Sequence, residues 1–107
     1  MAKKGALQVI ADVMVQNAGA AGWAHYKLGG GLQLVFRRQE RHCSLRMARL
    51  ASSGKWPGED EVAIVRAAFR APDDAEEVAE LRERTDAKTG CTVGYNVVEV
   101  SWMEVGS

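Results

Sequence analysis

The chain has 107 residues, of which 47% are hydrophobic and 26% are charged, and its formal net charge is zero. This balance is that of an ordinary globular domain and excludes an intrinsically disordered chain. No apolar run approaches the roughly 20 residues that cross a bilayer, and no signal-type apolar segment follows the basic start of the chain. We therefore expect one soluble cytoplasmic domain over residues 1–107, with residues 1–5 flexible and no membrane partner.

The zero net charge hides a sorting of charges along the chain. Residues 1–50 carry eight Lys or Arg and two acids, whereas residues 51–107 carry six Lys or Arg and twelve acids. The two halves therefore have formal charges of +6 and −6. Such asymmetry hints at a phosphate-bearing or acidic partner, but the halves can also neutralise each other inside one fold.

The first predicted element is a helix over residues 6–19. Polar residues recur every four positions and mark a solvent-facing stripe, as expected for an amphipathic helix. The stripe is Gln8, Asp12 and Gln16, and the apolar residues Leu7, Ile10, Val13 and Met14 lie on the other side. Small residues up to Gly22 then end the helix.

After the helix, the repeat of apolar residues changes from that of a helix to a period of two residues. Apolar and polar residues alternate in three runs, at 23–28, 32–37 and 42–47. Gly29-Gly30-Gly31 predicts a turn between the first two runs, and a polar bend at 38–41 separates the second from the third. Three alternating runs with short connections predict an antiparallel meander with one buried face.

A loop and a second helix follow the meander. Residues 51–58 predict the loop, and the three acids from Glu59 suit the first turn of a helix, where the helix dipole favours negative charge. The apolar face of this helix runs to about Arg70, and Pro72 stops it.

The last part of the chain predicts a hairpin. Residues 75–85 have the composition of a helix, whereas the stretch from Asp86 to Gly90 has the composition of a hairpin loop, so helix and strand are both open for 75–85. We give the turn more weight and expect a hairpin strand at least from about residue 79. Residues 92–105 are rich in Val, Tyr and Trp and predict a strand. The apolar residues of this strand change parity near Val97-Val98, which indicates either a β-bulge or burial on both faces.

The predicted fold is therefore α+β, with the order α-β-β-β-α-β-β. Two helices pack on one face of an antiparallel sheet that consists of the meander and the C-terminal hairpin. Edge strands of so small a domain are often covered by a second copy, and we expect a homodimer.

The meander predicts a basic binding face. If its apolar residues face the core, the opposite face presents basic side chains, and Trp23 shares their parity. Arginine donors suit phosphate, and an exposed indole can stack on a base. The candidate binding residues are Trp23, His25, Lys27, Arg37, His42 and Arg46 on the face, and Arg38, Arg41 and Arg49 at its margins.

Other chemistry has weak support in the sequence. His25, His42, Cys43 and Cys91 are possible metal ligands, but neighbouring His42 and Cys43 point to opposite faces of a strand. Cys43 is therefore expected in the core, and no metal, cofactor or disulfide is expected. No nucleophile elbow, P-loop or dinucleotide fingerprint is present, so no catalytic residue is predicted.

Two further features bear on partners. Trp56 lies in the predicted loop, where an indole either covers the edge of the core or anchors a partner. Residues 73–86 carry seven acids against Arg82 and Arg84 and predict a negative edge.

Three functions follow, in order of preference. The first is a non-enzymatic binding or accessory protein whose basic face contacts nucleic acid or an acidic protein. The second is an interaction module that self-associates through its oppositely charged halves, and the third is a small enzyme of unspecified class.

Overall fold

A computed structural model of the chain describes residues 5–28 and 31–104. Residues 1–4, 29–30 and 105–107 lie outside the described residues. They include part of the expected flexible start, part of the glycine turn and the end of the predicted last strand. The helices are α1 (Ala6–Ala21) and α2 (Glu59–Ala68), and a 3₁₀ turn covers Ala51–Ser53. The strands are β1 (Trp23–Lys27), β2 (Gln33–Gln39), β3 (His42–Leu50), β4 (Glu76–Thr85) and β5 (Thr92–Met103).

The strands in these ranges form one antiparallel sheet in the order β1-β2-β3-β5-β4. β1, β2 and β3 form the predicted meander, and β4 and β5 form the predicted hairpin. β5 pairs with β3, so the hairpin is joined to the meander through its second strand. The predicted α+β class and the order α-β-β-β-α-β-β are confirmed.

The hairpin loop explains why residues 76–85 form a strand despite their helical composition. The Asp86 carboxylate accepts a hydrogen bond from the N–H of Lys88 at 2.7 Å, and the Asp86 N–H donates to the carbonyl of Cys91 at 2.8 Å. Gly90 has a φ of 71°, a conformation that glycine adopts without strain. These bonds reverse the chain and place β4 beside β5, where ladder hydrogen bonds outweigh a weak helix preference.

Helix α1 runs two residues beyond its predicted end. Ala11, Met14 and Ala18 are buried, whereas Val13, expected on the apolar side, is 43% exposed. Gly22 ends the helix in the left-handed conformation, with its N–H donating to the Ala18 carbonyl at 2.8 Å.

Helix α2 begins after Gly58, whose N–H donates to the Glu61 carboxylate at 2.7 Å. Val62 and Val65 are buried, and the helix ends at Ala68, before the predicted stop at Pro72. Phe69, just past the helix, stacks on Phe36 of β2 with ring centroids 4.6 Å apart. Both phenylalanines therefore lie in or against the core.

The core lies between the two helices and one face of the sheet. Side chains from every second position of β2, β3 and β5 point to this helix-covered face, as strand alternation requires. The largest fully buried side chains of the core are Met14, Leu32, Leu34, Cys43, Leu45, Met47, Val65 and Val100.

Strand β5 is buried on both faces at its centre. Val97 is 3% exposed and Val98 is 7% exposed, although they point to opposite sides of the sheet. The register runs without interruption through both residues against β3 and against β4. Of the two alternatives, the structure shows burial on both faces and no bulge: Val98 packs in the helix-covered core, and Val97 lies in a depression on the opposite face.

The close approach at Gly22 yields a stability prediction. A Cβ there would lie 2.9 Å from the backbone oxygen of Arg38, and the φ of 69° disfavours any residue with a side chain. Gly54 has the same φ of 69° but open space around it. Gly54→Ala should therefore lower the free energy of unfolding by only about 1–2 kcal/mol, the cost of a side chain at this φ. Gly22→Ala should lower it by more.

Chemical denaturation of both variants measures this difference. The shared φ makes Gly54→Ala the matched control, so the excess loss in Gly22→Ala reports the contact with Arg38. Equal losses in the two variants would contradict the close approach between the end of α1 and β2.

Candidate binding face of the sheet

The side of the sheet away from the helices, here called the open face, carries the candidate site. Residues directly opposite each other in an antiparallel ladder point to the same face. Trp23 lies opposite Arg37, and Val35 lies opposite Arg46, which in turn lies opposite Glu99. The charged and aromatic members of the open face are Trp23, His25, Lys27, Arg37, His42, Arg46, Glu76, Glu80, Arg82, Arg84, Tyr95 and Glu99.

A depression of about 480 Å³ lies in the open face and extends across all five strands. Its floor is apolar, because Val35, Ala48 and Val97 point into it and the last two are buried. Its rim is largely basic and aromatic, and one acid also lines it. The rim residues are Trp23, His25, Gln33, Arg37, Arg46, Arg82, Glu83, Arg84 and Tyr95.

The ion pairs of Arg82 neutralise only part of the positive charge of the rim. Arg82 donates to Glu99 at 3.0 Å and to Glu80 at 2.6 Å. These bonds, the one to Glu99 first, raise the pKa of Arg82 above its ordinary value. Arg46 lies opposite Glu99 in the ladder, but the Glu99 carboxylate is bonded to Arg82 instead.

Three arginines of the rim therefore lack a carboxylate partner. Arg37, Arg46 and Arg84 make no side-chain hydrogen bond or ion pair with any residue that the structure describes. Arg37 and Arg84 are exposed and Arg46 is half-buried. Their guanidinium donors are free for an anion.

The aromatic part of the rim has one well-exposed ring. Trp23 is 51% exposed, and its ring lies 6.2 Å from that of His25 at an interplanar angle of 44°. The parity that Tyr95 shares with Val93 and Val97 in the sequence favours a core position, but Tyr95 is half-buried on the open face. The reason is its position opposite Arg82, on the side of β5 away from the helices.

The open face brings together six of the residues that the sequence singles out. They are Trp23, His25, Lys27, Arg37, His42 and Arg46. Arg41 lies apart, in the turn between β2 and β3, where its carbonyl accepts a hydrogen bond from the Glu104 N–H.

Arg38 and Arg49, expected at the margins of this face, point to the helix-covered side instead. Arg38 lies opposite Cys43 and donates to the carbonyl of Gly19 near the end of α1. Arg49 lies 2.5 Å from Glu61 of α2. These two arginines hold the helices to the sheet and are not part of the candidate site.

The hairpin supplies residues that sequence reasoning did not place in the site. In the sequence, Arg82 and Arg84 are a minority inside an acidic segment, and the parity of Tyr95 favours the core. Alternation along β4 puts both arginines on one face once the segment is a strand. That this is the same face that carries Arg46 is known only from the structure, because it depends on β5 lying between β3 and β4 in the sheet.

The two charged halves of the chain partly neutralise each other inside the fold. Arg49 pairs with Glu61, and Arg38 lies 3.9 Å from Glu104. Within the acidic half, Arg66 pairs with Glu77 at 3.0 Å. Arg38 and Arg49 face the helices, whereas Arg37, Arg46 and Arg84 on the open face take no part in these ion pairs.

The potential metal ligands are dispersed. His25 and His42 lie on the open face, Cys43 is buried on the other side of the sheet, and Cys91 is exposed after the hairpin loop. The described residues contain no group of three or more His, Cys, Asp or Glu side chains able to hold a metal ion. Both cysteines are free.

Trp56 lies away from the open face. It is 45% exposed in the loop before α2. The carbonyl of the preceding residue, Lys55, accepts a hydrogen bond from the Asn96 side chain at 2.8 Å. Asn96 points to the helix-covered side of β5, so the loop is fixed on that side of the sheet.

Comparison with known proteins finds no matching family model, no matching curated protein and no matching solved structure. Within the described ranges, neither helix combines the length and the apolar character of a membrane-spanning segment.

The environments of the two thiols lead to a reactivity prediction. Burial is the main cause that raises the pKa of the Cys43 thiol. The negative charge of Glu104 and the hydrogen bond from the thiol to its carboxylate raise the pKa further. Because the thiolate is the reactive form, Cys43 should react slowly in the folded protein, whereas exposed Cys91 should react quickly.

Titration with a chromogenic disulfide reagent at about pH 8 checks this expectation. One thiol per chain should react at once and the second only after unfolding, and Cys91→Ser should abolish the fast phase. Two fast thiols in the native protein would contradict the buried position of Cys43.

Proposed function

We propose that the open face binds single-stranded nucleic acid. The observation that supports this most directly is the rim of three unpartnered arginines around an apolar floor, with an exposed tryptophan beside it. The proposal concerns a binding protein, and it assigns no catalytic residue and no cofactor.

The arginines suit the phosphate part of such a ligand. A guanidinium presents paired donors that match phosphate oxygens, and neutralising phosphates releases counterions from the nucleic acid. Arg37, Arg46 and Arg84 come from three different strands, β2, β3 and β4. Neighbouring strands are about 4.8 Å apart, so these donors can follow a backbone that crosses the strands.

The aromatic and apolar groups suit the bases. Base–aromatic stacking contributes about 1–3 kcal/mol per base and tolerates any sequence. Trp23 offers the exposed ring, and the floor of Val35, Ala48 and Val97 offers an apolar surface next to it.

This combination favours unpaired bases over the other expected partners. A duplex presents phosphates outward and keeps its bases stacked on each other, so it would use the arginines but not Trp23 or the floor. An acidic protein would likewise leave the apolar floor unmatched. Single strands use both parts of the site.

Charge reversal of two rim arginines tests the phosphate contacts. Arg37→Glu combined with Arg46→Glu should weaken binding to a labelled oligonucleotide of about 20 nucleotides by at least tenfold. It should also flatten the salt dependence by about 1.4 in the log–log slope, because each phosphate contact contributes about 0.7 for single strands. Fluorescence anisotropy at several salt concentrations gives both quantities.

Arg70→Glu is the matched control for charge, because Arg70 is exposed and follows α2, so it is not part of the open face. It should change affinity much less than Arg37→Glu alone. Oligodeoxythymidine, oligouridine and duplex DNA serve as three arms. Binding undetectable at about 50 mM salt, or binding that does not depend on salt, would refute the proposal.

A tryptophan pair tests the stacking contact. Trp23→Ala should weaken single-strand binding by about tenfold, the effect of losing one stacked base. Trp56→Ala removes an indole of similar exposure, 45% against 51%, from the other side of the sheet and should leave the affinity unchanged. Equal effects of the two substitutions would show that Trp23 does not stack on a base.

A further inference from the structure

Strand β4 is an edge strand of ten residues in the sheet formed by the described strands. Nearly all of its side chains are exposed, including Leu81 at 57% and Val78 at 40%. An exposed edge of this length presents a row of backbone donors and acceptors to another chain.

The phase of the β4–β5 ladder shows which backbone groups point outward. The Asp86 N–H donates to the Cys91 carbonyl, and this bond follows the register of the two strands. Hydrogen-bonded pairs alternate along an antiparallel ladder, so the even-numbered residues of β4 bond to β5. The backbone groups of Glu77, Ala79, Leu81, Glu83 and Thr85 therefore point to the free edge.

We propose that β4 pairs antiparallel with β4 of a second copy of this chain, with the two-fold axis at Leu81. The two sheets would then join into one of ten strands. In this register Leu81 lies opposite the partner's Leu81, and Glu80 lies opposite the partner's Arg82. The remaining pairs are Ala79 with Glu83, Val78 with Arg84 and Glu77 with Thr85, each formed twice.

The charges along β4 select this register. Each copy contributes one Glu80 and one Arg82, so the axis at Leu81 gives two opposite-charge pairs across the edge. An axis one residue earlier places Glu80 against Glu80, and an axis one residue later places Arg82 against Arg82. Like charges directly opposite each other are destabilising, so both neighbouring registers are disfavoured.

The two-fold symmetry of this dimer fixes how the two open faces are placed. Opposite residues share a face, so the two-fold axis is perpendicular to the sheet, and both open faces lie on the same side of the dimer. The dimer does not depend on nucleic-acid binding, and the experiments on it use the protein alone.

Mixed cysteine variants test the register directly. Residues 80 and 82 of opposite chains would form a non-hydrogen-bonded pair with Cα atoms about 4.5 Å apart, within reach of a disulfide. In a Cys91→Ser background, a mixture of Glu80→Cys and Arg82→Cys chains should give a disulfide-linked dimer under mild oxidation. This mixed dimer keeps one Glu80–Arg82 pair intact.

Each variant alone is the control. Two copies of residue 80, or of residue 82, would be diagonal neighbours about 7–8 Å apart, beyond ordinary disulfide reach. Linked dimers only in the mixture support the register. Linked dimers in the single-variant samples to the same extent, or none in the mixture, would overturn it.

Charge exchange tests whether the same pairs hold the dimer in solution. Sedimentation equilibrium of the wild-type chain should give twice its 11.6 kDa mass. Glu80→Arg alone and Arg82→Glu alone should each shift the equilibrium towards monomer by at least tenfold in dissociation constant, and the double variant should restore the dimer. Far-ultraviolet circular dichroism confirms that each variant is folded.

Two results would refute the dimer. One is a folded wild-type monomer at every concentration from about 1 µM to about 500 µM. The other is a series of larger oligomers that grow with concentration, as expected if β4 pairs with the opposite edge β1 instead. Loss of nucleic-acid binding with an intact dimer would refute only the proposed function.

Discussion

The pairing of β3 with β5 is the constraint on which the rest of this structure depends. It joins the basic meander to the acidic hairpin through nine residue pairs, from His42 with Met103 to Leu50 with Tyr95. Leu45 and Val100 lie opposite each other in it and are fully buried. A shift of one residue would turn every side chain of the hairpin to the other face, so core burial fixes the register.

The same register sorts the charges by face as well as by position in the chain. Arg49 is placed on the helix-covered side and meets Glu61, whereas Arg46, three residues earlier, is placed on the open face. The sorted charges of the sequence therefore do two different things. Some hold the helices to the sheet, and the others gather around a depression with an apolar floor.

Alternation and turn chemistry were enough to predict the fold, because both act over a few neighbouring residues. The face shared by Arg37 and Arg46 follows from period two, and the β4–β5 hairpin follows from the loop at Asp86–Gly90. The inclusion of Arg82 and Tyr95 in the site could not be predicted in the same way. It depends on which strand lies beside β3, a contact between distant parts of the chain that no local pattern encodes.

Arg82 connects the candidate site to the edge of the sheet. Its guanidinium holds Glu99, which would otherwise be the natural partner of Arg46, and it also holds Glu80. A second chain at the β4 edge would offer Glu80 a new arginine directly across the strand pair. The charge balance of the depression and the pairing of the edge therefore share one residue, Arg82.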